Sequence, residues 1–174
     1  MNRLRLPVIA GALALAGACG ASGYDRSPAA MPVTFQLRND GISTVYVFES
    51  CQIDFTITSL ADPVHEIALS GGCACTCGLE CPVCGPCFEG PLDVVTGTMR
   101  TASWTTVKVT TEPTSTGGSC QREFPLAFGP YRIDVPVYPT LADAMARTTG
   151  RTASQSFELP LTSEIVDVQL GLSP

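Results

Sequence analysis

The chain is poor in the residues that carry out most catalysis and most nucleic-acid binding. Among its 174 residues there is one histidine, His65, and one lysine, Lys108. A Ser or Cys nucleophile needs a neighbouring base. Here His65 alone offers one, and its place between Val64 and Glu66 on a short strand reads as an edge or surface position. No G-x-S-x-G elbow, H-E-x-x-H pair, phosphate-binding loop or dinucleotide fingerprint occurs. Sixteen Asp and Glu outweigh ten Lys and Arg, so the chain carries a net charge of −6. Phosphate backbones are repelled, with no basic stripe to offset that. The acids are scattered, as on an ordinary solvated surface. No enzyme activity, no cofactor and no nucleic-acid partner is expected. Long apolar runs are scarce as well: only Leu6 to Ala18 is uncharged and apolar throughout. As a helix at ~1.5 Å per residue it rises about 20 Å, short of the roughly 30 Å hydrocarbon layer, which argues against a permanent span.

What is present begins with that run. Arg3 and Arg5 precede it, and Ala16-Gly17-Ala18 follows the small-x-small rule for signal peptidase, so residues 1–18 are expected to be a removed signal peptide. Leu15-Ala16-Gly17-Ala18-Cys19 resembles the lipobox of bacterial lipoproteins, with Ala16 where that pattern usually has Leu. The resemblance implies a diacylglycerol on the Cys19 thiol and a further acyl chain, such as palmitate, on its amine. At ~0.8 kcal/mol per buried methylene, such chains hold a protein on a membrane. Gly20 rather than Asp after the Cys implies, by the same resemblance, the outer membrane, facing periplasm or cell surface. Residues 19–31 are small, polar and unpatterned, and read as a flexible tether.

Residues 32–174 have the length of one domain. Apolar residues recur there with a period of two at Val33, Phe35 and Leu37, at Val45 and Val47, and at Ile53, Phe55 and Ile57. This predicts three strands, the first two joined by a turn at Asn39-Asp40-Gly41. Val64–Leu69 reads as a short fourth strand after a turn at Ala61-Asp62-Pro63. Further strands are predicted at 105–110, 131–137, 157–161 and 165–170, with 112–120 a loop. Leu141 to Arg147, behind a Thr140 cap, is the single helix expected. Many short strands and almost no helix predict an all-β, immunoglobulin-like antiparallel β-sandwich, with Trp104 and Tyr131 in its core.

The cysteines are the informative feature. Gly71 to Pro91 is dense in Gly and Pro and holds Cys73, Cys75, Cys77, Cys81, Cys84 and Cys87, while Cys51 and Cys120 lie outside it. With Cys19 acylated, an even number of thiols remains, as disulfides require. The C-x-x-C spacings also suit a tetrahedral zinc or soft copper site, or a redox pair. No His lies in the cluster, an oxidising envelope removes thiolates, and Gly and Pro forbid the helix a redox site opens. All eight cysteines are therefore expected in disulfides, with no metal. Cys51–Cys120 is the expected domain-level bond, closing about 70 residues and worth up to ~4 kcal/mol. The loop 71–91, inserted in the sandwich, is the expected binding surface, with Leu79, Val83 and Phe88 as apolar contacts and Glu80 and Glu89 as polar ones.

Three resemblances extend this reading. Leu126-Ala127-Phe128-Gly129-Pro130-Tyr131-Arg132-Ile133-Asp134-Val135 is similar to the entry into a late strand of immunoglobulin-like modules, which implies a Tyr bonded back to the preceding loop. The lipobox, the N-D-G turn, the Cys-rich insert, the Trp strand and the G-x-Y strand together resemble Cys-rich envelope lipoproteins of Gram-negative bacteria. Asn39, Tyr46 to Phe48 and Gly129 to Tyr131 resemble positions of the bacterial intracellular proteinase inhibitors. The expectation is a monomeric, non-enzymatic cell-envelope lipoprotein, attached to a membrane by its lipid and either structural or binding an envelope or extracellular protein. Zinc or copper binding by the cluster and proteinase inhibition are the alternatives. Cys19→Ser should abolish membrane association, because it removes the acylation site. Detergent phase partitioning checks this: the variant should stay in the aqueous phase, and recovery in the detergent phase at the wild-type level would remove the anchor.

Overall fold

A computed structural model describes residues 32–62, 66–69, 74–81, 85–115, 117–148 and 150–171. In order, its elements are β1 (Pro32–Arg38), β2 (Val45–Ser50), β3 (Thr56–Ser59), β4 (Glu66–Ile67), β5 (Glu89–Val94), β6 (Met99–Thr105), β7 (Val107–Pro113), β8 (Ser119–Pro125), β9 (Gly129–Val137), α1 (Leu141–Ala146), β10 (Arg151–Leu159) and β11 (Ile165–Gln169). The signal segment, Cys19, the tether and His65 lie outside the described residues.

The predicted alternation becomes one apolar face per strand. Val33, Phe35 and Leu37 of β1 are buried, as are Ala102 and Trp104 of β6, Val166 and Val168 of β11, and Tyr131, Ile133, Val135 and Val137 of β9. Such faces exclude water only against one another. A three-stranded sheet in the order β11-β1-β6 faces a four-stranded sheet in the order β10-β9-β3-β4. The core is rich in rings: Phe35 lies 5.5 Å from Phe55, 6.4 Å from Trp104 and 5.7 Å from Phe157, centroid to centroid. Edge-on and offset contacts of this kind add to the area they bury.

Two ribbons complete the all-β sandwich. β2 pairs with β5, and the Tyr46 and Tyr138 backbones exchange bonds of 2.9 and 2.8 Å that attach this ribbon to the end of β9. β7 and β8 form a hairpin held at its base by Leu126 N–H to the Thr106 carbonyl and at its side by Val109 N–H to the Ala68 carbonyl. Helix α1 starts where predicted: the Thr140 hydroxyl accepts from the Asp143 N–H, and Arg147 ends the helix in the left-handed region at φ 51°.

Several expectations are corrected. Asn39-Asp40-Gly41 does not close a hairpin: β1 and β2 lie in different sheets, and the turn carries the chain between them. The sandwich is not wholly antiparallel, since β11 runs parallel to β1. β5 extends into the stretch read as loop. Among the described residues it pairs only with β2, so Pro91, which has no N–H to give, sits on a strand unpaired there on one side. β8 was hidden because it buries almost nothing and so shows no apolar alternation. The strand placed at 157–161 runs instead from Arg151 to Leu159.

The turn at Asn39 holds the sandwich at one end. Its side chain is fully buried, with Nδ2 donating to the Val94 carbonyl at 2.7 Å and the Ser43 carbonyl at 2.9 Å, and Oδ1 accepting from Gly41 N–H at 3.1 Å. Gly171 packs so close that a Cβ there would lie 2.6 Å from Asn39 Oδ1. At the opposite end of the sandwich Tyr131 donates its hydroxyl to the Ala127 carbonyl at 2.8 Å, as the immunoglobulin-like resemblance implied, and burial raises the pKa of its phenol. Asn39→Ala strands buried carbonyls and an N–H, and should cost about 2–3 kcal/mol, whereas Tyr131→Phe should cost about 1 kcal/mol. Urea unfolding of the two variants measures the difference, and equal losses would remove Asn39 from this role.

Candidate functional site: the stapled cysteine segment

The segment between β4 and β5 has too much Gly and Pro to form a sheet of its own, so it takes its shape from neighbours and cross-links. Residues 75–77 lie beside β8 as a short parallel strand: Gln121 N–H donates to the Cys75 carbonyl at 2.7 Å, and Cys77 N–H to the Gln121 carbonyl at 2.9 Å. The chain then turns through Gly78, at φ 83°, with Leu79 N–H bonded to the Thr76 carbonyl. β8 is otherwise an outer strand of its ribbon, so the segment covers part of an open edge.

Among the described residues three disulfides fix the segment: Cys77–Cys120, Cys75–Cys81 and Cys51–Cys87, with Cα separations of 5.0, 4.5 and 4.9 Å. The expected Cys51–Cys120 bond is therefore wrong. Cys120 lies on β8 opposite the segment, whereas Cys51 follows β2 and faces the residues leading into β5, and each bonds the cysteine that the backbone pairing brings to it. Cys51 N–H donates to the Phe88 carbonyl at 3.1 Å, continuing the β2–β5 ladder by one step. Cys51 stands at φ 66°, in the left-handed region uncommon for a side chain with a Cβ. Among the described residues no three His, Cys, Asp or Glu come together as a metal site, and the six bridged sulfurs are no longer thiolates. Cys73, Cys84 and Val83 lie outside the described residues.

The proposed contacts fall into two groups. Leu79, 71% exposed, and the exposed Glu80 belong to the turn beside β8. Phe88, 54% exposed, lies just beyond the Cys51–Cys87 staple with its ring over Gly90, and Glu89 is already in β5 opposite Ser50. Sequence spacing put these residues in one loop, but the staples fasten them to two different ribbons.

Next to Cys51, sequence reasoning missed Arg147. Its guanidinium lies 3.9 Å over the Phe48 ring, 3.3 Å from Ser50 Oγ and 3.6 Å from Asp54. The only signal was its place after the helix, which does not show what it reaches. Burial raises the Asp54 carboxyl above its ordinary 3.8, Arg147 pulls it down, and Glu89 pushes it up. A guanidinium held this way positions the Cys51 turn and presents no nucleophile.

Loop closure ranks the staples. Cys77–Cys120 spans 43 residues and Cys75–Cys81 spans 6. Replacing both cysteines of the first pair by Ser should cost about 4 kcal/mol, and of the second about 2 kcal/mol. Urea unfolding checks the order. Asp54 binds its proton more tightly folded than unfolded, so its contribution to stability is full below the unfolded pKa and declines as pH rises through the folded one. Asp54→Asn should flatten that part of the stability–pH curve, and an unchanged slope would show that Asp54 does not set it. No family model, no curated protein and no solved structure matches this chain.

Proposed function

We propose that this chain is a non-enzymatic lipoprotein of the cell envelope, a rigid β-sandwich that displays a disulfide-stapled segment as a protein-binding or protective surface. The observation that carries this reading is the set of three disulfides around residues 75–87. Such a set persists where thiols are oxidised, as in the bacterial periplasm or at the cell surface, which agrees with the signal peptide and lipidated Cys19 read from the sequence. A segment ordered beforehand has little conformational freedom left to lose on binding, so exposed side chains such as Leu79 and Phe88 cost little to engage. Lipid at Cys19 and a tether of residues 19–31 hold the domain at the outer membrane, on its periplasmic or outer face, and the sandwich acts as a monomer with an envelope or extracellular protein as partner.

The test is capture from envelope extracts with the wild type and with a variant in which Leu79, Val83 and Phe88 are all Ser. The substituted surface should lose specific partners retained by the wild type. Identical captured sets would eliminate the stapled segment as a recognition surface.

A further inference from the structure

The three staples are not held alike. Cys120 stands in β8 opposite Glu112 of β7, and Cys77 N–H is bonded to the Gln121 carbonyl, so the folded backbone fixes both ends of Cys77–Cys120. Cys51 donates its N–H to the Phe88 carbonyl one step beyond the Ser50–Glu89 pair of the β2–β5 ladder, which fixes Cys51–Cys87 in the same way. Cys75–Cys81 differs. Its Cys75 end is anchored, since that carbonyl accepts from Gln121 N–H at 2.7 Å, but among the described residues no backbone hydrogen bond holds Cys81. Cys81 is exposed, Cys75 is half-buried, and the bond spans 6 residues.

This difference decides which bond yields to thiols. Once a disulfide is reduced, its closing again depends on the concentration each thiol presents to the other. Where a ladder holds both cysteines, they stay in contact and the bond reforms. Where one end is carried on a short turn, that concentration falls towards the millimolar range of a short linker. Access acts in the same direction at Cys81, because exchange needs a thiolate to reach a disulfide sulfur. Exposure by itself does not rank the bonds, as Cys51 and Cys87 are exposed too. The backbone bond from Cys51 to Phe88 is what sets that pair apart from Cys75–Cys81.

We propose that Cys75–Cys81 is a redox-sensitive latch, opened by a thiol reductant while the sandwich and the other two staples stay intact. A thiolate of the reductant attacks Cys81 Sγ, the Cys75–Cys81 bond breaks, and its electron pair leaves on Cys75 Sγ, which takes up a proton. A second reductant thiolate attacks the reductant sulfur of the mixed disulfide, so Cys81 leaves as a thiolate and takes up a proton. The reductant is thereby oxidised to its disulfide. Opening frees the turn at Gly78 with the exposed Leu79 and Glu80, whereas residues 75–77 stay on β8 through Cys77–Cys120 and their two backbone bonds to Gln121. This exchange needs neither a lipid anchor nor a binding partner, so it stands apart from the function proposed above.

The test is a titration of the intact protein with mixtures of reduced and oxidised glutathione, quenched with acid. Free thiols are alkylated with one isotope of a reagent and, after full reduction, the rest with another, and fragmentation mass spectrometry reads the reduced fraction at each cysteine. Cys75 and Cys81 should be half reduced at a ratio of squared reduced to oxidised glutathione roughly tenfold or more below that for either other staple. Amide exchange followed by NMR reads the turn. On reduction of Cys75–Cys81 the Leu79 N–H, bonded to the Thr76 carbonyl, should exchange about tenfold faster, while the Cys77 and Gln121 N–H groups keep their protection. Combining Cys75→Ser with Cys81→Ser should reproduce that pattern without reductant and keep the β-sheet circular dichroism. Reduction of another staple at the same or a lower ratio, unchanged exchange at Leu79, or loss of protection at Cys77 or Gln121 would each overturn the proposal. So would unfolding of the double variant, because the latch would then be holding the sandwich itself.

Discussion

Phe35 is the contact on which the two sheets close. It lies on β1, the central strand of the three-stranded sheet, with no solvent exposure, and its ring reaches Phe55, Trp104 and Phe157. Removing apolar surface from water drives these faces together, and close packing makes the assembly sensitive to the shape of each ring. The ends are held by directional bonds. Asn39 gathers the β1 end, the start of β2, the end of β5 and the last described turn, while Tyr131 fastens the loop before β9. The Trp104 indole N–H is buried in this core and has no acceptor among the described residues.

Outside that core, covalent bonds take over from packing. The β2–β5 ribbon puts Val45, Val47 and Val94 into that core, but the β7–β8 ribbon stands at its margin, and β8 buries almost nothing. A two-stranded ribbon of this kind is marginal in water. Cys51–Cys87 ties the lead-in of β5 to the end of β2, and Cys77–Cys120 ties the cysteine segment to β8. Beside β8 the bidentate Glu112–Arg122 pair adds a cross-strand contact that lowers the Glu112 carboxyl and raises the guanidinium. That pair is exposed, so it sets register more than it adds stability.

The two sides of the molecule are therefore treated differently. One ribbon edge is partly covered by a stapled segment, while among the described residues β10 and β11 each pair on one side only. In the function we propose, such a frame presents a segment ordered in advance, which has little freedom left to lose on binding.

Much of the frame was legible in the chain because period-two burial is a local property. Val33 to Leu37, Val45 to Val47 and Tyr131 to Val137 each show it, and the Thr140 cap marks the one helix. Strands that bury little, such as β8, or bury residues only at scattered positions, such as β5, leave no such trace. The sequence also led to an expectation of disulfides in the cysteine segment, from the even thiol number that an acylated Cys19 would leave, and the structure bridges Cys75, Cys77, Cys81 and Cys87. Which cysteines meet was decided only by tertiary structure: Cys120 faces Cys77 because Gln121 pairs with Thr76, and Cys51 faces Cys87 because β2 pairs with β5. Loop length favoured Cys51 with Cys120, but loop entropy acts on the unfolded chain, whereas a disulfide forms only between sulfurs that the folded backbone has already brought within reach.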